Sequence, residues 1–226
     1  MSLQIIPFES GMNTSYIIKD EGAVLVDGAP FKEVSSFTEI LEDHNMKPEE
    51  IKLIILTHGD FDHVGGAKKL KELTGAKIAI HDHDRENLEK GIFHWPEGVT
   101  VWGKLSRALL KPFLKKKLAF PAAKADIVLD DKGLSLKEYG ISGKIVYTPG
   151  HTFGSVSVLL ETGDAFIGCL AHNKAPFVLK PSLPIYANDI ELLKESWKKV
   201  IDQGASTIYP SHGKSFPVER ILKYLN

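Results

Sequence analysis

The stretch Thr57-His58-Gly59-Asp60-Phe61-Asp62-His63 constrains this chain more than any other. It follows residues 51–56, an apolar run long enough for one buried strand. It precedes Val64-Gly65-Gly66 and a helical pattern over residues 67–73. Four ligand-type side chains therefore sit in a turn at the carboxyl end of a strand, where a rigid sheet can hold a loop still. Two imidazoles and two carboxylates this close together can hold one divalent cation or two. The plainer reading is a polar surface turn. Further ligand-type residues at later strand ends, His151, Cys169 and His212, argue against it.

The rest of the pattern alternates short strands with helices. Residues 3–8, 14–19 and 23–26 read as strands split by Gly11-Met12-Asn13 and Glu21-Gly22 turns. Residues 31–46 read as a helix with Val34, Phe37, Ile40 and Leu41 on one face, closed by Lys47-Pro48. Residues 76–81 form another strand, and Asp82 is placed to cap a helix reaching Lys90. Strands follow at 127–129, 134–136, 144–147, 156–160, 165–168 and 207–209. Asn188 or Asp189 caps a helix reaching Ile201, and residues 218–225 make a last helix. His81 and His83 lie at a strand end and read as structural or surface residues. Asp27 ends the third strand. A buried Asp near a metal loop orients a ligand histidine more often than it binds metal; as a simple turn residue it would need no such role.

Residues 91–124 stand apart as an insertion. No acidic residue lies between Glu97 and Asp126, yet Lys104, Arg107, Lys111, Lys115, Lys116, Lys117 and Lys124 do. On a helix, Trp102, Leu105, Leu109 and Phe113 share one face, with Lys104, Arg107, Lys111 and Lys115 opposite. Pro112 is expected to kink or restart that helix. Three roles stay open: a cover for the core, a lid lining a substrate pocket, and a surface for a membrane or an acidic partner.

Composition bounds the remainder. The 226 residues suit one domain, 1–226, with a sizeable core. A formal net charge of -1 gives no global pull toward nucleic acid. A single cysteine suits a reducing compartment. Residues 1–10 lack a basic region followed by an apolar core, and no apolar run approaches a membrane span. The expectation is a cytoplasmic protein without a membrane span.

The metal loop resembles the His-x-His-x-Asp-His signature of the metallo-β-lactamase superfamily, with Asp60 where the second His usually stands. Other landmarks follow in order: Val26-Asp27-Gly28, Thr148-Pro149-Gly150-His151-Thr152, Ile167-Gly168-Cys169-Leu170 and Tyr209-Pro210-Ser211-His212-Gly213. Cys169 replaces the metal-bridging Asp of the family. The resemblance implies an α/β fold, a single-domain four-layer αββα sandwich with metals at one sheet edge. It implies one metal site of His58, Asp60 and His151, and a second of Asp62, His63 and His212 completed or bridged by Cys169. A thiolate favours zinc, while the oxygen donor at Asp60 also tolerates iron. Two zinc ions are the first expectation.

The implied chemistry is hydrolysis by metal-activated water, since zinc lowers the pKa of water from about 15.7 to about 7. Asp62 would orient the nucleophile and pass a proton to the leaving group. The expected substrate is a small ester, thioester or lactone, with the insertion's lysines favouring an anionic one. The core looks like that of glyoxalase II, without the glutathione-binding helical region that follows in those enzymes. Trp102, Leu105, Phe113, His172 and Phe177 are candidate pocket residues. A flavodiiron-like redox protein, which also carries a carboxylate at the Asp60 position, is one alternative. A degenerate, non-catalytic metal-binding protein is another. Nucleic-acid hydrolysis, using the basic insertion as a phosphate track, is disfavoured by the near-zero charge.

Overall fold

The structure, a computed structural model, describes residues 3–11, 13–30, 34–114, 118–173 and 180–225, with backbone alone at 35 and 110–114. The first sheet contains β1 (Gln4–Ser10), β2 (Asn13–Lys19), β3 (Ala23–Val26), β4 (Ile51–Ile55), β5 (Lys77–His81) and β6 (Ile127–Leu129), side by side in chain order. The second contains β7 (Leu134–Ser135), β8 (Gly143–Tyr147), β9 (Val156–Leu160), β10 (Asp164–Gly168), β11 (Thr207–Pro210) and β12 (Phe216–Pro217), again side by side. Pairing is antiparallel from β1 to β3 and parallel from β3 to β6. Among the described strands of the second sheet, β10 and β11 run parallel and the other neighbours antiparallel.

Period-two alternation builds the layers. Ile17, Leu25 and Ile54 point outward from the first sheet. There they meet Phe37 and Leu41 of α1 (Ser35–Asp43), Leu70 of α3 (Ala67–Thr74) and Leu88 of α4 (Asp82–Lys90). Their neighbours Ile18, Val24, Val26, Leu53 and Ile55 point inward and meet Ile145, Val156, Val158 and Phe166 of the second sheet. The outer face of that sheet, through Val146, Leu159 and Ile167, packs on Leu193, Trp197 and Val200 of α6 (Ile190–Asp202). The result is helices, sheet, sheet, helix in one domain, the expected αββα order. Strands buried on both faces, such as β3, need continuous apolar sequence.

Several details differ from the sequence reading. Between β4 and α3 lies a one-turn helix, α2 (Phe61–Val64), so part of the metal loop is itself helical. The α4 cap is His81, whose Nδ1 accepts from the His83 N–H at 3.3 Å, and Asp82 is the first helical residue. There its charge favours the helix dipole without capping. The strand expected over 134–136 stops at Ser135, because Leu136 opens a short 3-10 turn over Lys137–Tyr139. The last helix, α7, spans only Glu219–Leu222. The Phe31 start of the first helix and the Met12 turn lie outside the described residues.

The insertion forms α5 (Val101–Leu114). The helix runs without interruption through Pro112, so it does not restart there. Val101, Leu105 and Leu109 are exposed, so this face does not cover the core. The helix packs instead where Gly103 meets Gly98 and the Ile185 carbonyl.

Candidate metal centre

Five loops converge at the carboxyl ends of strands from both sheets. Asp27 follows β3, the metal loop follows β4, His151 follows β8, Cys169 follows β10 and Ser211-His212 follow β11. Backbone hydrogen bonds stitch these loops together. The Val156 N–H donates to the Thr57 carbonyl at 2.8 Å, Gly28 N–H to the His63 carbonyl at 2.6 Å, and Ser211 N–H to the Gly168 carbonyl at 3.1 Å. Gly168 has φ +55, and a Cβ there would stand 2.5 Å from Thr57 Oγ1. Only glycine lets β10 deliver Cys169 this close to the metal loop.

The histidines are oriented through one ring nitrogen each. His63 Nδ1 donates to Asp27 Oδ2 at 2.8 Å. His151 Nδ1 donates to the Tyr186 carbonyl at 2.9 Å. Thr57 Oγ1 gives its proton to Asp27 at 2.8 Å, so it accepts from His58 Nδ1 at 2.9 Å. In all three rings Nε2 is turned toward the others, and held this way at Nδ1 each ring presents a lone pair there once Nε2 gives up its proton, the tautomer a metal ligand needs. Asp27 also accepts from the Thr57 N–H at 2.9 Å and the Ser211 hydroxyl at 2.9 Å. It is a buried carboxylate held by donors from two other loops, in agreement with its expected orienting role.

The ligand atoms fall into two groups that share one sulfur. Those of His58, His151 and Cys169 lie within 4.8 Å of one another, and so do those of His63, Cys169 and His212. Cys169 Sγ is 3.3 Å from His63 Nε2. Asp60 Oδ2 is 3.6 Å from His58 Nε2 and 3.2 Å from His151 Nε2. Asp62 Oδ2 is 3.6 Å from His63 Nε2 and 3.5 Å from His212 Nε2. The structure thus brings all seven expected site residues together, each carboxylate beside the histidines of its expected site.

Electrostatics shows how tightly the groups are packed. Burial alone would push the Cys169 thiol up, but the imidazoles of His212, His63, His58 and His151 hold it well below the ordinary thiol value. Burial likewise opposes the charge on Asp60, yet the hydrogen bond from His151 and the neighbouring His58 imidazole hold it below the usual carboxylate range. For His58, burial and the neighbouring His63 charge push downward, and the Cys169 thiolate and Asp60 outweigh them, raising it to about 10. His212, opposed by burial and favoured by the thiolate and Asp62, is raised to about 9. His63 is disfavoured by burial but raised well above the ordinary imidazole value by Asp27, Cys169 and Asp62.

The donor set fits divalent cations. His58 Nε2 and Asp60 Oδ1 are buried without a hydrogen-bond partner. Such orphans are costly, and a cation would satisfy them. Imidazoles, carboxylates and a thiolate are the donors zinc takes, and the two groups sharing Sγ offer places for two ions.

Some members of the site carry little sequence signal. Tyr186 orients His151 through its carbonyl, a role open to any residue type. Asp84 directly follows His83 in the chain. It accepts from the Gly59 N–H at 2.8 Å and the Thr152 hydroxyl at 2.6 Å, tying two site loops together. His81 stacks on Tyr147, with ring centroids 4.4 Å apart, a structural role as expected. His172 is buried, its ring 4.8 Å from that of His212, and neither ring nitrogen makes a hydrogen bond. Burial is the main reason its pKa drops to about 4, so it stays neutral beside the centre. The side chain of Phe113 and all of Phe177 lie outside the described residues.

Residues 9–212 match the family model of the metallo-beta-lactamase superfamily. The chain belongs to the metallo-beta-lactamase superfamily. It is 30% identical over 207 residues to a probable metallo-hydrolase of Methanocaldococcus jannaschii, covering 89% of this chain and 88% of that one. It is 28% identical over 178 residues to the hydroxyacylglutathione hydrolase GloC of Haemophilus influenzae, covering 74% of this chain and 71% of that one. Among solved structures it resembles the B3 metallo-β-lactamase BLEG-1, with TM-score 0.72, 20% identity and full coverage of both chains. At that identity the likeness shows the metallo-β-lactamase fold alone. Family, fold and ligand groups agree on a metal-dependent hydrolase.

Proposed function

We propose that this protein is a binuclear zinc hydrolase of small esters, thioesters or lactones. The observation that carries the reading is the pair of ligand groups sharing Cys169 Sγ, with buried atoms of His58 and Asp60 left without a hydrogen-bond partner. His58, Asp60 and His151 would hold one ion; Asp62, His63 and His212 the other, with Cys169 between them. The thiolate and four imidazoles favour zinc. Cations bound there supply Lewis acidity, which lowers the pKa of water and polarises a carbonyl oxygen.

The protein's own groups do the rest. Asp62 is the more open of the two carboxylates, with 22% of its side chain exposed against 11% for Asp60. It both touches the histidine cluster and meets solvent, so it can orient water, take its proton and return that proton to a leaving group. His172, neutral and unpaired beside His212, offers a hydrogen bond to a bound acyl substrate. The hydroxyacylglutathione hydrolase among the relatives supports an acyl substrate. The lysines of the insertion support an anionic one.

The test is Asp62→Asn, assayed on an ester, thioester and lactone panel. Loss of turnover by about 100-fold or more with the fold kept is the expected result. Full activity in that variant removes Asp62 from the mechanism. Asp60, an oxygen donor set between His58 and His151, favours iron as the second reading. Iron in the purified protein, with oxygen or peroxide turnover, would support that redox role.

A further inference from the structure

One face of α4 grips the metal loop from outside the ligand set. Asp84 and Asn87, at i and i+3, share that face and are buried, 5% and 7% exposed. Both reach Gly59, the residue between His58 and Asp60. Asp84 Oδ2 accepts from the Gly59 N–H at 2.8 Å, and Asn87 Nδ2 donates to the Gly59 carbonyl at 3.4 Å. The same Asp84 oxygen accepts from the hydroxyl of Thr152, the residue after His151, at 2.6 Å. Ser155 closes this clasp: its Oγ accepts from the Thr152 N–H at 3.0 Å and lies 2.9 Å from Thr152 Oγ1. Glycine permits the approach on both sides. A Cβ on Gly59 would stand 2.7 Å from Asn87 Nδ2, and one on Gly154 would stand 2.6 Å from Asp84 Cγ.

These contacts fall on one ligand group. His58 and Asp60 flank Gly59, and His151 precedes Thr152, so one buried oxygen ties together the two loops that supply this group. The other group is held from elsewhere. Asp27 accepts from His63, and Asn13 Nδ2 donates to the Asp62 carbonyl at 2.8 Å. Asp84 itself belongs to neither ligand group. A partner of this kind acts by fixing how the ligands are presented. We propose that Asp84 is the positioning residue of the His58, Asp60 and His151 group, setting how tightly that group, and not its neighbour, holds an ion. This role rests on the binuclear reading and adds that the two ion sites are keyed by different buried residues.

The experiment is a zinc titration of the whole metal-free protein against a chromophoric chelator, resolving two affinities, with circular dichroism as the check on folding. Asp84→Ala should weaken one ion about 10–100-fold. Asp84→Asn keeps an oxygen acceptor for both donors and should retain more of that affinity than Asp84→Ala. Asp60→Ala and Asp62→Ala identify the ion. Asp84→Ala should add little to Asp60→Ala, which weakens the same ion, and should add in full to Asp62→Ala. Thr152→Val removes one of the two donors and keeps the side-chain shape, so it carries the test if Asp84→Ala fails to fold, and it should weaken the same ion. Equal weakening of both ions, or full additivity with Asp60→Ala, overturns the proposal and leaves Asp84 a purely structural residue. Two ions in the parent that Asp84→Ala leaves unchanged overturn the proposal alone. Fewer than two ions in the parent overturn the binuclear reading, and the proposal with it.

Discussion

Asp27 Oδ2 accepts a hydrogen bond from His63 Nδ1 at 2.8 Å, and Asp27 holds this position with φ 66, a left-handed conformation rare for a residue with a side chain. The strain is retained because the same carboxylate takes donors from Thr57 and Ser211. It fixes the histidine and joins three site loops at once. Asp27→Ala should leave those buried donors unpaired and cost about 3 kcal/mol of stability. Metal affinity should fall about 10–100-fold. A competition titration against a chromophoric chelator and a chemical denaturation curve measure the two effects. Unchanged metal affinity would remove Asp27 from the centre.

Gly168 gives a second handle. Its φ is +55, and an added Cβ would come within 2.5 Å of Thr57 Oγ1, which leaves no room for a methyl group. Gly168→Ala should lose about 1–3 kcal/mol and displace Cys169 from the shared position. Thermal unfolding and metal content report this together. A variant with normal stability and full metal content would contradict the packing of β10 against the metal loop.

Proton and metal compete for the same atoms. In the metal-free protein His58 and His212 are raised to about 10 and about 9, above the ordinary imidazole value of 6.5. A raised imidazole stabilises the fold fully below the unfolded value, and that contribution is lost as pH rises through the folded one. Asp27 and Asp60, lowered from 3.8, contribute above that value and lose it as pH falls through their folded values. Metal requires deprotonated imidazoles, so its affinity rises with pH. The Tm difference between zinc-loaded and metal-free protein should therefore be small near pH ~5.5 and widen toward pH ~9. A constant difference across that range would contradict the ligand assignment.

The sequence carried the fold because period-two alternation and loop punctuation are local signals. Strands 23–26 and 156–160 were legible to the residue, and Asp189 was one of the two caps expected for α6. The clustering of ligand-type side chains was legible where residue chemistry marks it, at His58, Asp60, Asp62, His63, His151, Cys169 and His212. It was not legible where the contribution is a backbone carbonyl, as at Tyr186, or a side chain brought in by tertiary packing, as at Asp84. The exposure of Leu105 and Leu109 could not be read either. Helical periodicity shows that a face is apolar, and only the anchoring at Gly103, and at Ser106 against the Tyr186 hydroxyl, shows which way it turns.

The most direct test of the account is elemental analysis of protein purified without added metal or a metal-binding tag. The account predicts about two zinc per chain, one for each ligand group around Cys169. One zinc or none would contradict the binuclear centre, and iron in place of zinc would contradict the hydrolytic assignment in favour of the redox one.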